Sequence, residues 1–150
     1  MNNAEIIESL RGLAAAPTDA PSLLADVVGL LRRERPHFHW VGVYMLQGDE
    51  LVLGPYLGAP TPHTRIPLDK GICGAAASTG QTVVVDDVSA DPRYLACSLE
   101  TRSEIVVPIA LAGRVLGEID IDSHLPAAFA PADRELLEGV AEILAHALSR

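Results

Sequence analysis

Basic residues are scarce: 11 Lys and Arg stand against 20 Asp and Glu, a formal charge of −9 over 150 residues. Nucleic-acid phosphates are bound by clustered cations, and the chain offers only Arg32, Arg33 and Arg35. That short run falls at the end of a helical pattern, where cations complement the helix dipole, so no nucleic-acid partner is expected. Long apolar runs are missing too, and none approaches the roughly 20 residues that cross a bilayer. The opening Met1-Asn2-Asn3-Ala4-Glu5 lacks the cationic-then-apolar order of a secretory signal. The expectation is a cytoplasmic protein with no membrane partner. Cysteine is limited to Cys73 and Cys97, too few for the disulfide framework of a secreted domain and too far apart, without further thiols, for a compact zinc site. Each is a small buried hydrophobe or a chemically used thiol. There is no Gly-rich phosphate loop, Gly-x-Ser-x-Gly elbow or His-Glu-x-x-His helix. No cofactor and no metal are expected.

What is present is a folded domain's balance, 49% hydrophobic and 21% charged, in a length that suits one domain. Residues 2–14 read as a helix, with Asn2 and Glu5 at capping-box spacing and Ile6, Leu10 and Leu13 at helical intervals. A second helix starts near Thr18 or Asp19, carries the stripe Leu23, Leu24, Val27, Val28, Leu30 and Leu31, and closes at Pro36. Phe38 to Leu46 and Leu51 to Leu57 read as a hairpin around Gln47-Gly48-Asp49-Glu50. Residues 58–64 form a loop, Gly71 to Thr79 a short helix capped by Gly80, and Val83 to Val85 a short buried strand. Asp86 to Glu100 has no period and is expected to be a surface excursion that carries function. Glu104 to Ala110 and Val115 to Asp122 form a second hairpin, and Pro131 to Leu148 an amphipathic helix. The order ααββαβββα predicts an α+β domain, helices packed on an antiparallel sheet.

Four groups of residues bear on chemistry. Alternation along Gly117 to Ser123 puts Glu118, Asp120 and Asp122 on one face and Ile119 and Ile121 on the other. A three-residue loop, 112–114, sets Glu104 across from Asp122, whereas a two-residue loop sets it across from Ile121. Such a run of like charges calls for a compensating cation, or is simply a solvated outer face. Cys73 stands at a helix start, where N–H groups and the dipole favour a thiolate, and Cys97 lies in the irregular segment. Aromatics are only 4% of the chain, yet Trp40 and Tyr44 share one strand and one parity, as a pocket wall or as core. His37 and His39 have strand spacing without a supporting third ligand, and His63, His124 and His146 are isolated.

Together these stretches resemble the free methionine-(R)-sulfoxide reductases, which are single-domain GAF proteins. The resemblance is carried by Trp40-Val41-Gly42-Val43-Tyr44, Leu51 to Tyr56, Thr64-Arg65-Ile66-Pro67, Lys70 to Gly74, Val85 to Val88, Ala96-Cys97, Ser103 to Pro108 and Ile119 to Ser123. It implies one GAF domain over residues 1–150, an antiparallel sheet with helices packed on it, and reduction of free methionine sulfoxide. By position, Trp40 and Tyr44 resemble the aromatic wall around the substrate methyl sulfoxide. Glu104, Asp120 and Asp122 resemble the carboxylates that hold its ammonium and assist the sulfoxide. Cys97 and Cys73 resemble the family's loop and helix-start cysteines, the first as nucleophile and the second as resolving thiol, with the two roles open to exchange. A thioredoxin-like dithiol as reductant and a homodimer through the terminal helices follow from the same resemblance. The family's third cysteine, ten residues before Cys73, is His63 here. The alternative is a GAF module that senses a small ligand without turnover, and His63 is its best support.

Overall fold

The computed structural model describes residues 1–95 and 99–150. Helix α1 (Asn3–Ala15) begins where its cap predicts. The Asn2 side chain accepts from the Glu5 N–H at 2.9 Å, and the Glu5 carboxylate accepts from the Asn2 N–H at 3.2 Å. Helix α2 (Ala20–Glu34) opens on Asp19, which accepts from the Ser22 N–H, with Pro21 in its first turn. Strands β1 (Trp40–Gln47) and β2 (Glu50–Leu57) form the first hairpin. A further strand, β3 (Arg65–Pro67), pairs with β2 through Leu51 and Ile66; three residues are too few to show a period. Helix α3 (Gly71–Thr79) ends on Gly80 in the left-handed region. Then come β4 (Val83–Val85), a single 3-10 turn (Val88–Ala90), β5 (Ser103–Leu111), β6 (Arg114–Ser123) and helix α4 (Pro131–Leu148). The element order is thus ααβββαβββα, one strand more than the sequence pattern indicates. No helix among the described residues is long and apolar enough to cross a membrane.

The six strands form one antiparallel sheet in the order β3-β2-β1-β6-β5-β4. Pairing of β1 with β6 joins the two hairpins at the centre. One face, with Val41, Val43, Ile105, Val107, Ile119 and Ile121, packs under α1, α2 and α4. The other face, with Trp40, Tyr44 and Val106, is covered by Ile72, Cys73 and Ala76 of α3. Both faces of β6 are therefore buried. A solvated outer face for its carboxylates is excluded, since Glu118, Asp120 and Asp122 are 0%, 5% and 2% exposed. Burial of each isoleucine on the opposite face contributes about 1.5–3 kcal/mol, which offsets part of the cost of taking the carboxyls out of water.

The β5–β6 turn takes the shorter of the two loops that the sequence left open. Leu111 pairs with Arg114, so the turn is the two residues Ala112 and Gly113, with φ of +52° and +79°. Alone, that turn would set Ile121 opposite Glu104. A bulge intervenes, with Leu116 the extra residue, and it moves the register by one, so Glu104 does face Asp122. Ala112 bears the left-handed conformation at a cost of about 1 kcal/mol. Ala112→Asn is expected to stabilise the fold by about 0.5–1 kcal/mol, read as a higher urea midpoint; an unchanged midpoint would show that the turn carries no strain.

Candidate active site

The first turn of α3 lies across the centre of the sheet and delivers Cys73, 5% exposed, onto the acidic face of β6. Its thiol donates to Asp120 Oδ2 at 3.4 Å. On that face Glu104 is opposite Asp122 and Val106 opposite Asp120 across the β5–β6 pair, while Trp40, Gly42 and Tyr44 of β1 lie opposite Asp122, Asp120 and Glu118. One ligating atom from each of Cys73, Glu104 and Asp120 lies within 4.8 Å of the other two. This is the single group among the described residues arranged closely enough to hold a metal ion. All three would have to lose protons to do so.

Those protons follow from burial. Desolvation pushes the Glu104 carboxyl well above the usual range, and the charges of Asp120 and Asp122 add to the shift. Asp120 is raised less: burial lifts it, while hydrogen bonds from Glu104 and Cys73 pull it down. The pair thus has a direction, with Glu104 holding a proton that Asp120 accepts. Cys73 departs from the expected helix-start thiolate. Burial first, then the charges of Asp120, Glu118 and Glu104, push its thiol well up, and these effects outweigh the dipole of a nine-residue helix.

Trp40 and Tyr44 close the site from the β1 side, with ring centroids 6.5 Å apart. Their polar tips tie down the 58–64 loop, since Trp40 Nε1 donates to the Ala59 carbonyl at 3.0 Å and the Tyr44 hydroxyl to the His63 carbonyl at 2.7 Å. With Thr61, His63 and Leu95, the rings and the Cys73–Glu104–Asp120 group enclose a cavity of about 20 Å³, room for roughly one water. The Trp40 ring lies over Gly42, where an added Cβ would come within 2.4 Å of it. Gly42→Ala is therefore expected to displace the ring. Trp40 is the sole tryptophan, so the shift is read directly as red-shifted emission; unchanged emission would contradict it.

The GAF domain family matches residues 19–148. This chain belongs to that family. Among its relatives, Protein YtsP of Bacillus subtilis is 35% identical over 97% of this chain and 90% of its own length. The free methionine-R-sulfoxide reductase of Escherichia coli is 32% identical over 95% of this chain and 88% of its own. A crystal structure of free methionine-R-sulfoxide reductase from Neisseria meningitidis, in complex with its substrate, superposes with a TM-score of 0.92 at 40% identity, covering 98% of this chain and 88% of that one.

Of the residues singled out in the sequence, this GAF domain brings together Cys73, Glu104, Asp120, Trp40 and Tyr44 around one cavity, with Asp122 beside Glu104. Cys97 lies outside the described residues. The histidines pair otherwise than expected: His37 Nε2 is 3.0 Å from Asp133 Oδ2, and His39 stacks on His124 at 4.1 Å, so His124 is not isolated. Glu118 is the residue that sequence reasoning put on the acidic face without a role. Its carboxyl is raised well above the usual range, chiefly by burial. Glu104, Glu118 and Asp120 all bind protons more tightly folded than unfolded. Their contribution is complete below the ordinary carboxylate range and is lost as pH rises through the raised values. Glu118→Val is expected to stabilise the domain at neutral pH by about 1–3 kcal/mol and to flatten the fall in stability toward alkaline pH. Thermal unfolding across that range tests it, and an undiminished pH slope would show that Glu118 does not contribute.

Proposed function

We propose that this GAF domain reduces free methionine-(R)-sulfoxide to methionine. The observation that carries the reading is the convergence of a thiol, a protonated carboxyl and its partner carboxylate on one aromatic-walled cavity. The names of the Escherichia coli and Neisseria meningitidis relatives support the same substrate. The carboxylates of Asp120 and Asp122 take the substrate ammonium, the cation that a buried acidic face requires. Trp40 and Tyr44 flank the methyl sulfoxide. Glu104, the group that holds a proton, gives it to the sulfoxide oxygen.

Cys97 attacks the sulfoxide sulfur as a thiolate. The sulfoxide oxygen takes the Glu104 proton, the substrate S–O bond breaks as that hydroxyl passes to the Cys97 sulfur, methionine departs as the thioether, and Cys97 is left as a sulfenic acid. Cys73 suits the resolving role, because its elevated thiol pKa makes it a poor first nucleophile. Its sulfur closes a disulfide with Cys97 and water is lost. A thioredoxin-like dithiol in the cytoplasm then restores both thiols. The present cavity is too small for an amino acid, so entry separates Leu95 from the Thr61–His63 wall.

The protein works as one GAF domain over residues 1–150 and as a homodimer. An open groove of about 820 Å³ between α1 and α4 has apolar Ile7, Leu136 and Ile143 beside Arg11, Glu135 and Glu142, the mixture of signs that self-pairing needs. Turnover of free L-methionine-(R)-sulfoxide with a dithiol tests the activity. Ligand-induced Trp40 fluorescence change with no methionine formed would replace the reductase by a sensing module.

A further inference from the structure

The proposed reaction places only one of its substrate's two charges. A free amino acid is a zwitterion, and with its ammonium on Asp120 and Asp122 its carboxylate enters the same enclosed site, where it needs hydrogen-bond donors. Few of the described residues around the cavity can supply them. Ile66, Ile72 and Leu95 are apolar, and Glu104 and Asp120 are themselves acids. Trp40 Nε1 donates to the Ala59 carbonyl, the Tyr44 hydroxyl to the His63 carbonyl, and the Cys73 thiol to Asp120. The remaining side-chain donors of the lining are the Thr61 hydroxyl and the His63 imidazole. The imidazole is what His63 has to offer, since its carbonyl accepts from Tyr44 and its N–H donates to Thr61 Oγ1 at 3.1 Å. That contact uses the Thr61 oxygen as acceptor and leaves its O–H as donor. Of the described lining residues, His63 alone is of a type that can carry positive charge.

We propose that His63, with the Thr61 hydroxyl beside it, forms the subsite for the substrate's α-carboxylate and so sets a preference for a zwitterionic amino acid over a plain amine. This rests on the substrate reading given above. Each of the two groups donates to a carboxylate oxygen, and hydrogen bonds to an ionised acceptor are the strong ones. The loop that carries them is held from three points. Its Ala59 and His63 carbonyls are bound by the two rings, and the Thr64 carbonyl accepts from the Leu53 N–H of β2 at 2.9 Å. Entry separates Leu95 from this wall, so both donors keep their place against Trp40 and Tyr44. The rings that flank the methyl sulfoxide therefore also fix the group that takes the other end of the molecule. The substrate's two charges are divided between the sheet, which holds the ammonium, and the 58–64 loop, which holds the carboxylate.

The test is equilibrium binding to the reduced protein, read by Trp40 emission, of L-methionine and of 3-(methylthio)propylamine, the same molecule without its carboxylate. The wild-type protein is expected to bind methionine on the order of 10–10²-fold more tightly than the amine. His63→Ala is expected to weaken methionine by about that factor and to leave the amine unchanged. His63→Gln, which keeps a side-chain N–H donor, restores part of the methionine affinity. Thr61→Val, which keeps the shape of the side chain, removes a smaller share. Equal weakening of both ligands in His63→Ala overturns the assignment, because a loop that has merely shifted affects both. A wild-type protein that does not distinguish the two ligands overturns it as well. Turnover of methionine-(R)-sulfoxide with a dithiol, run beside the binding series, separates the two readings. The expected binding pattern without turnover keeps the subsite and removes the reductase, whereas turnover with a KM indifferent to His63 keeps the reductase and removes the subsite.

Discussion

Cys97→Ser is expected to lower turnover of methionine-(R)-sulfoxide by on the order of 10³-fold or more, to the background of the assay. A serine hydroxyl at neutral pH is neither ionised nor soft enough to attack a sulfoxide sulfur, and no other described thiol replaces the lost one. Cys73 is the sole cysteine among the described residues, and it is held protonated by burial, Asp120, Glu118 and Glu104. Binding should survive, because the Trp40–Tyr44 wall and the Glu104–Asp120 pair are untouched, and Trp40 emission reports it. Cys73→Ser should behave differently, forming one equivalent of methionine and then stopping for want of a resolving thiol. Full turnover in Cys97→Ser would transfer the nucleophile to Cys73. Full turnover in both single variants would remove the disulfide from the mechanism.

Glu104→Gln is expected to reduce kcat/KM by on the order of 10²–10³-fold, the usual contribution of a positioned general acid. The amide keeps the shape of the side chain but has no transferable proton, and Asp120 then loses the neighbour that shares one with it. The pH profile separates this from a structural effect. Glu104 must be protonated to act, and burial raises its carboxyl, so wild-type activity is full below that raised pKa and falls as pH rises through it. In Glu104→Gln that alkaline fall should be missing, with the remaining activity low throughout. Stability should move the other way. Above the raised pKa the wild-type carboxyl must ionise facing Asp122 and against Asp120, where like charges repel, whereas the amide cannot ionise, so the variant unfolds at a higher temperature in that alkaline range. A variant that keeps the wild-type alkaline limb would exclude Glu104 as the proton donor.

The site was legible in part because alternation is local. Residues two apart on a strand share a face, so Glu118, Asp120 and Asp122 could be grouped from their spacing, and Trp40 with Tyr44 in the same way. Helix ends were legible for a similar reason, since Asn2, Asp19 and Gly80 act on backbone groups within a few residues of themselves. Strand β3 was not legible: its three residues hold together only because β2 already offers an edge at Leu51.

What local pattern left undecided was settled by packing. The sequence by itself determined which side chains of β6 travel together; it did not determine that α3 would cover the polar set, because a face is buried by an element distant in the chain. Cys73 and Asp120 meet across 47 residues, and that meeting turns an expected helix-start thiolate into a protonated thiol. Register was decided in the same manner. The two-residue turn at Ala112-Gly113 and the extra residue Leu116 cancel, and Glu104 reaches Asp122 through their combination. Periodicity assigns a side chain to a face, whereas charge state and chemistry depend on what folds over that face, and only the tertiary structure supplies the covering helix.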